Sequence, residues 1–200
     1  VATEENETIR RHSRDDVATA ALQILDDYGL GDLTMRRIAA ALGVQASALY
    51  WHFPNKQTLL ADLADRIVGR AAPVGPQPDW RRTVADECGA LRDALLAYRD
   101  AAEVVASTLA LGIGSTAAVE RLAAAIASGG FDEETSQAAA PVLLHFVLGH
   151  VQHEQQRMQY DSLGIVPEGR SVLDGQSPSD RFFFGVELFT GGLELKLRQR

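Results

Sequence analysis

Apolar residues recur along this chain at spacings of three and four, in stretches broken by glycine, proline and short polar runs. That is the period of helices with one buried face. Val17, Ala20, Ala21, Ile24 and Leu25 form one such stripe and predict a first helix over about Arg14–Tyr28, ended by Gly29. Thr34 is placed to cap a second helix, whose apolar face is Ile38, Ala39 and Leu42. Gly43 ends it where a left-handed residue is needed, and Val44 fills the corner. A third short helix is expected over Gln45 to His52, with Leu49 inward. Pro54 blocks its continuation, and Asn55 caps a fourth helix reaching about Arg70. The run APVGPQPD at 72–79 is the clearest boundary. Beyond it the pattern predicts helices over about Trp80–Tyr98, Ala101–Thr108, Thr116–Ala127, Glu133–Tyr160 and Arg181–Leu197. Residues 161–180 read as a loop with one turn at Arg170–Leu173, and residues 1–12 as mobile.

Two short helices joined by a glycine-containing turn form the geometry that lays the second helix in a DNA major groove. An ordinary helical hairpin has the same outline, so the surface of the second helix decides. Gln45, Ala46, Ser47 and Ala48 are small or hydrogen-bonding at its N-terminal end, where base edges would lie. Tyr50, His52 and Lys56 follow and suit phosphate oxygens. The fold class is therefore all-α. An N-terminal three-helix helix-turn-helix DNA-binding domain (1–71) is followed by a C-terminal helical regulatory and dimerisation bundle (79–200).

Charge complicates this picture. The net charge is −8, which is awkward for a DNA binder. Residues 10–60 carry six basic side chains against five acidic ones, a balance of +1, so the rest carries −9. Helix N-termini and backbone amides must then help hold phosphates. Cys88 is the only cysteine, which excludes an intrachain disulfide and suits a reducing cytoplasm. The opening VATEENETIRRHSRDD is polar and mostly acidic, unlike a signal peptide. The longest apolar stretch, Ala138 to Val151, is too short to span a bilayer.

Two helices are apolar on more than one side. The last carries Phe182, Phe183, Phe184, Val186, Leu188, Phe189, Leu193, Leu195 and Leu197, and the long one carries Val142 to Leu144, Phe146 to Leu148 and Val151. Such helices pack against more than their own core. A homodimer through a four-helix bundle is the expectation, with Phe182, Val186, Phe189 and Leu193 as its seam.

Catalytic and metal signatures are sparse. His150 and His153 share a helical face beside Glu154, with His145 nearby, but no His-Glu-x-x-His spacing accompanies them. No Gly-x-Ser-x-Gly occurs. Gly112-Ile113-Gly114 has no preceding strand and no third glycine, so it is not a nucleotide fingerprint. Asp132, Glu133 and Glu134 read as helix capping. No cofactor, no metal and no enzymatic activity are expected.

The chain resembles the TetR family of bacterial transcriptional repressors. The likeness rests on Ala21, Leu25, Gly29, Leu33, Thr34, Arg36, Ile38, Ala39, Leu42, Gly43, Val44, Leu49, Tyr50, His52, Lys56 and Leu59, with LYWHFPNK as its most specific run. LLAYRDAAEVVASTLALG at 95–112, LLHFVLGHV at 143–151 and FFFGVELFTGGLELKL at 182–197 resemble the tetracycline-repressor branch more loosely. The resemblance implies a cytoplasmic homodimer that binds a palindromic operator and is released by a small-molecule inducer. Arg36, Tyr50, Trp51, His52 and Lys56 match that branch, but its Gln-Pro-Thr triplet is replaced by Ala46-Ser47-Ala48, which implies a different operator.

The drug site departs further. Val105 stands where the branch has a metal-binding histidine. Ala72, Glu87, Leu91 and Leu122 stand where it has drug-contacting His, Asn, Phe and Gln, and Leu109-Ala110 replaces Arg-Pro after Thr108. His153 falls on or beside the partner-chain glutamate of the metal's outer shell. A largely apolar ligand is therefore expected, lined by Leu91, Tyr98, Val105, Thr108, Leu122, His145 and Phe146, with Glu87 as polar anchor. The helix at 101–108 would couple it to helix four near Ile67 and Arg70. The alternative is a helical small-molecule-binding protein or enzyme on the same scaffold, with no operator function.

Overall fold

Helix α1 (Arg14–Tyr28) begins at a reciprocal cap: the Ser13 hydroxyl accepts from Asp16 N, and an Asp16 carboxylate oxygen accepts from Ser13 N at 2.8 Å. The computed structural model describes residues 12–75, 77–114, 116–165 and 177–198. Two expectations, the mobile 1–11 and the turn at Arg170–Leu173, lie outside them. His12 departs from its expectation, since its Nε2 lies 3.0 Å from Leu42 O and ties the start of α1 to the end of the next helix.

That helix, α2 (Met35–Leu42), is capped by Thr34, whose hydroxyl accepts from Arg37 N at 3.1 Å. Gly43 closes it at φ 67°, the left-handed region that glycine enters without a side-chain clash. The third helix is shorter than its pattern predicts. Helix α3 covers Ala46–Leu49, and Tyr50 to His52 form a turn. Leu49 O takes both His52 N (3.0 Å) and Phe53 N (2.9 Å), and Pro54 disfavours a helical Phe53. Asn55 then caps α4 (Lys56–Gly69) in a reciprocal box with Thr58.

These four helices close over Val17, Ala21, Leu25, Leu33, Ile38, Leu49, Phe53, Leu59 and Leu63, all essentially without solvent contact. Leu49 is the inward anchor of α3, so Leu49→Ala would cost about 2–5 kcal/mol and release the helix from its footing.

The remaining elements are α5 (Trp80–Leu96), α6 (Ala101–Ala110), α7 (Ala117–Ala127), α8 (Glu133–Ser162) and α9 (Pro178–Arg198). No strand occurs among the described residues. Asp132 caps α8 by accepting from Thr135 N, as the acidic cluster predicts. Trp80 meets Phe131 edge-on at 5.0 Å, and a Cβ at Gly129 would come within 2.7 Å of the Trp80 ring. That glycine lets the α7–α8 turn seat on the start of α5. Helix α6 packs along α4, and α7 packs along α8 and α5.

Polar contacts fasten the two halves. Asp26 Oδ1 accepts from Arg99 N (3.3 Å), and Arg70 lies over the Tyr98 ring at 5.5 Å. Arg121 on α7 donates to Ala71 O and Ala72 O, just past the end of α4.

Candidate nucleic-acid interface and regulatory cleft

The sequence of α2–α3 leaves an unusual set of side chains facing outward. Trp51 is 90% exposed, and Arg36, Gln45, Ser47, Ala48 and Tyr50 are exposed around it. Ala46 is half-buried against the core, so its methyl group serves α3 packing as well as the outer surface. His52 and Lys56 are partly exposed at the end of the turn, and Thr34 is exposed at the cap of α2. The side chains of Arg36, Tyr50, Trp51 and Lys56 engage no described residue in a hydrogen bond or ion pair.

Neighbouring cations are already committed. Arg14 donates to Asp62 Oδ1 through Nε (3.1 Å) and Nη2 (3.0 Å), and lies over the Phe53 ring. Arg37 pairs with Asp32 and stacks on Tyr28 at 3.7 Å. Arg66 bridges Asp15 and Asp62, both at 2.6 Å, and those hydrogen bonds, Asp15's first, hold its pKa above the ordinary arginine value. Carboxylates thus engage Arg14, Arg37 and Arg66, while Arg36 and Lys56 have no hydrogen-bond or ion-pair acceptor among the described residues. That is the pattern expected of groups reserved for an external anion.

The candidate ligand-lining residues do not converge. Leu91, Val105 and Leu122 are core side chains, and Thr108 is buried with its hydroxyl donating to Val105 O. Tyr98 borders a separate cleft of about 300 Å³ with Met158 and Leu163, at the far end of α8. Phe146 stacks on Phe182 at 5.7 Å in the α8–α9 contact. His145 and His153 are exposed on the outer face of α8. His150 instead turns toward Pro178 O and the Phe182 ring, so His150 and His153 do not meet.

Glu87 is buried as expected, but it is not a free anchor. Arg121 donates to its Oε2 through Nε at 2.8 Å, with Nη2 at 2.7 Å. Arg121 is not among the residues that the local sequence pattern marks. Its signal was present: a lone arginine in the alanine-rich α7 needs a carboxylate partner if it is to point inward. A second overlooked pair is Arg92 and Glu154, joined through two bonds of 3.2 and 2.7 Å and almost fully buried.

Around Glu87 and Arg121 lies a cleft of about 310 Å³, bounded by Val74, Gln77, Thr83, Ala124, Ala125 and Ser128. Next to Glu87, burial first and then the Glu87 charge push the Cys88 thiol up to about 12. Cys88 is therefore a packed thiol rather than a reactive one.

The apolar faces of α8 and α9 also separate differently from the pattern. Phe182, Val186 and Leu193 face their own protomer and are buried, and Phe189 is half-buried. The exposed row on α9 is Phe184 (60%), Leu188 (61%) and Leu195. On α8 the exposed row runs Val142, His145, Gly149, His153 and Tyr160. The expected seam is thus the internal contact, and the unpartnered surface lies one face around the helix.

Comparison with known proteins agrees with this geometry. Residues 18–63 match the family described as bacterial regulatory proteins, tetR family, and residues 72–165 match the tetracyclin repressor-like C-terminal domain. The tetracycline repressor protein class E of Escherichia coli is 30% identical over 95% of this chain and 94% of its own length. The crystal structure of Mycobacterium smegmatis BioQ is 40% identical and covers 91% of this chain and 97% of that one, with a TM-score of 0.81. BioQ has also been solved with its natural double-stranded DNA operator; that structure is 38% identical, covers 91% of this chain and 98% of its own, and gives a TM-score of 0.74. Among the described residues no helix is long and apolar enough to cross a membrane.

Proposed function

The chain belongs to the TetR family of bacterial regulatory proteins, and from that premise we propose which of its residues carry the work. It is a ligand-responsive transcriptional repressor that binds operator DNA as a homodimer. Its homologues are transcriptional regulators, and on our reading this chain likewise acts in the cytoplasm and catalyses no reaction.

The observation that carries the assignment is the capped α2–α3 unit with Arg36, Tyr50, Trp51 and Lys56 displayed and internally unengaged. In our assignment residues 1–71 form the DNA-binding domain. The N-terminal end of α3 enters the major groove, so that Gln45, Ala46, Ser47 and Ala48 approach base edges. Arg36 reads a base, most simply guanine through its two acceptors. Thr34, Tyr50, Trp51, His52 and Lys56 hold the flanking phosphates and sugars. Residues 79–200 bind the inducer and dimerise. The second copy covers the exposed rows Phe184–Leu188–Leu195 and Val142–Gly149, where charge is sparse and apolar area large.

Coupling runs through α6 against α4, because α4 carries Lys56 at its other end. The test is operator binding by the dimer on palindromic DNA from its own control region, with and without inducer. Coupling is reciprocal, so saturating operator should weaken inducer binding by the factor by which inducer weakens operator binding. Equal inducer affinities with and without operator would sink the repressor–inducer assignment.

A further inference from the structure

Arg121 stands where a cleft, the buried Glu87 carboxylate and the end of α4 meet. Its guanidinium makes two kinds of contact. One edge faces the Glu87 carboxylate, through Nε at 2.8 Å and Nη2 at 2.7 Å. The other edge holds two neutral acceptors, Ala71 O through Nη1 (2.9 Å) and Ala72 O through Nη2 (2.7 Å). Those carbonyls directly follow α4. Thr83 borders the same cleft, and its Oγ1 is buried with no hydrogen-bond partner among the described residues. A buried hydroxyl without an acceptor forgoes the hydrogen bond it makes in water, so an arriving acceptor would recover that loss. Thr83 and Glu87 are one turn apart on α5, and Arg121, Ala124, Ala125 and Ser128 follow one face of α7. The cleft therefore has two donors at its polar end, Arg121 and Thr83, and alanine and valine surface beside them.

We propose that this cleft takes an organic monocarboxylate with a small apolar body, and that Arg121 converts its binding into release of α4. This rests on the repressor reading and names the ligand class and the coupling residue. The carboxylate accepts from Thr83 Oγ1 and from the Arg121 edge now on Ala71 O and Ala72 O. Charge-assisted hydrogen bonds are about twice as strong as neutral ones, so a carboxylate outcompetes the two carbonyls. Glu87 stays on the adjacent Nε–Nη2 edge and keeps the guanidinium in place. Once its carbonyls are released, the end of α4 loses its tie to α7, and the α4–α6 contact is free to shift. A volume of about 310 Å³ sits at the small end of the ~300–1,000 Å³ range of ligand pockets.

The test uses the full chain and a probe set of straight-chain carboxylates from butyrate to decanoate and their phenyl-substituted analogues, each beside its primary amide. Calorimetry without DNA reads the cleft, and operator titration with and without probe reads the coupling. At least one carboxylate should bind about tenfold more tightly than its amide. Thr83→Val should cut that preference about two- to threefold, and Arg121→Gln should abolish both it and the probe's effect on operator affinity. Each effect is taken as a ratio within one variant, so a general loss of stability does not imitate it. Carboxylate and amide pairs that bind alike throughout the set would overturn the inference, as would a preference that survives both substitutions. Failure of the chain to bind any operator without probe would instead strike the repressor reading, and calorimetry would still decide the cleft.

Discussion

Asp100 Oδ2 accepts a hydrogen bond from Leu30 N at 2.9 Å, so a residue at the cap of α6 holds the loop between α1 and α2. Its other oxygen takes Gln159 Nε2 at 2.6 Å, and its backbone sits at φ 56°, ψ 15°. A non-glycine residue in that left-handed region costs on the order of 1 kcal/mol, a strain the two side-chain bonds offset. Gly29 faces the same carboxylate at φ 83°, where an added Cβ would lie 2.6 Å from Asp100 Oδ2.

Asp100→Ala should keep the strain and orphan Leu30 N. The expected loss is about 1–3 kcal/mol of stability in urea unfolding, together with weaker operator binding as the head loses its fixed orientation. Asp100→Gly relieves the backbone while losing the bonds, so it should fall less far in stability and as far in operator affinity. Equal operator affinity in both variants and the parent would show that this latch does not orient the head.

Arg36 and Lys56 should separate in their response to DNA sequence. Arg36→Ala should cost about 1–3 kcal/mol and relax preference at one position of each half-site, read from an operator library. Lys56→Ala should weaken all sequences alike and flatten the salt dependence by about one unit of slope. Swapped phenotypes would exchange their roles.

How far the sequence could be read depended on whether the deciding interaction was local. The caps at Thr34, Asn55 and Asp132 and the left-handed Gly43 depend on neighbours within four residues, so pattern alone located them. Helix α3 stops at Leu49, three residues short of the expected His52, and Pro54, which restricts Phe53, does not mark that earlier end. Glu87 with Arg121, Arg92 with Glu154 and Asp100 with Leu30 lie 34, 62 and 70 residues apart, and no local period records such pairs. His145 reads as pocket-lining because α8 is apolar on several sides; which side faces inward is set by tertiary packing, chiefly against α7, α6 and α5.

Cys88 offers a check on the packing around the cleft. With its pKa raised to about 12, it stays a neutral thiol at pH 7–8 and should resist iodoacetamide until the protein unfolds. The linkage has one sign: stability from this group is intact below the unfolded thiol value near 9 and declines as pH rises toward 12. Rapid native-state alkylation at pH 7.5 would mean that the α5 core opens more readily than its burial implies.

The two faces of α9 give the last prediction, because they make opposite claims about the same helix. Leu188 is 61% exposed and Leu193 is 9% exposed, although both belong to the apolar run that suggested dimerisation. If the second copy covers the Phe184–Leu188–Leu195 row, Leu188→Glu places an unpaired charge in the interface and should yield a folded monomer. Its helical signal should persist, sedimentation should give a single-protomer mass, and operator affinity should collapse because one head no longer helps the other. Leu193→Glu buries the charge inside the protomer and should instead lower the unfolding midpoint at any concentration. Gly185 supplies a control on the internal face: a Cβ there collides with the Phe146 ring, so Gly185→Ala should destabilise the α8–α9 contact as Leu193→Glu does. A Leu188→Glu chain that stays dimeric while Leu193→Glu dissociates without unfolding would return the seam to the face that the sequence first suggested.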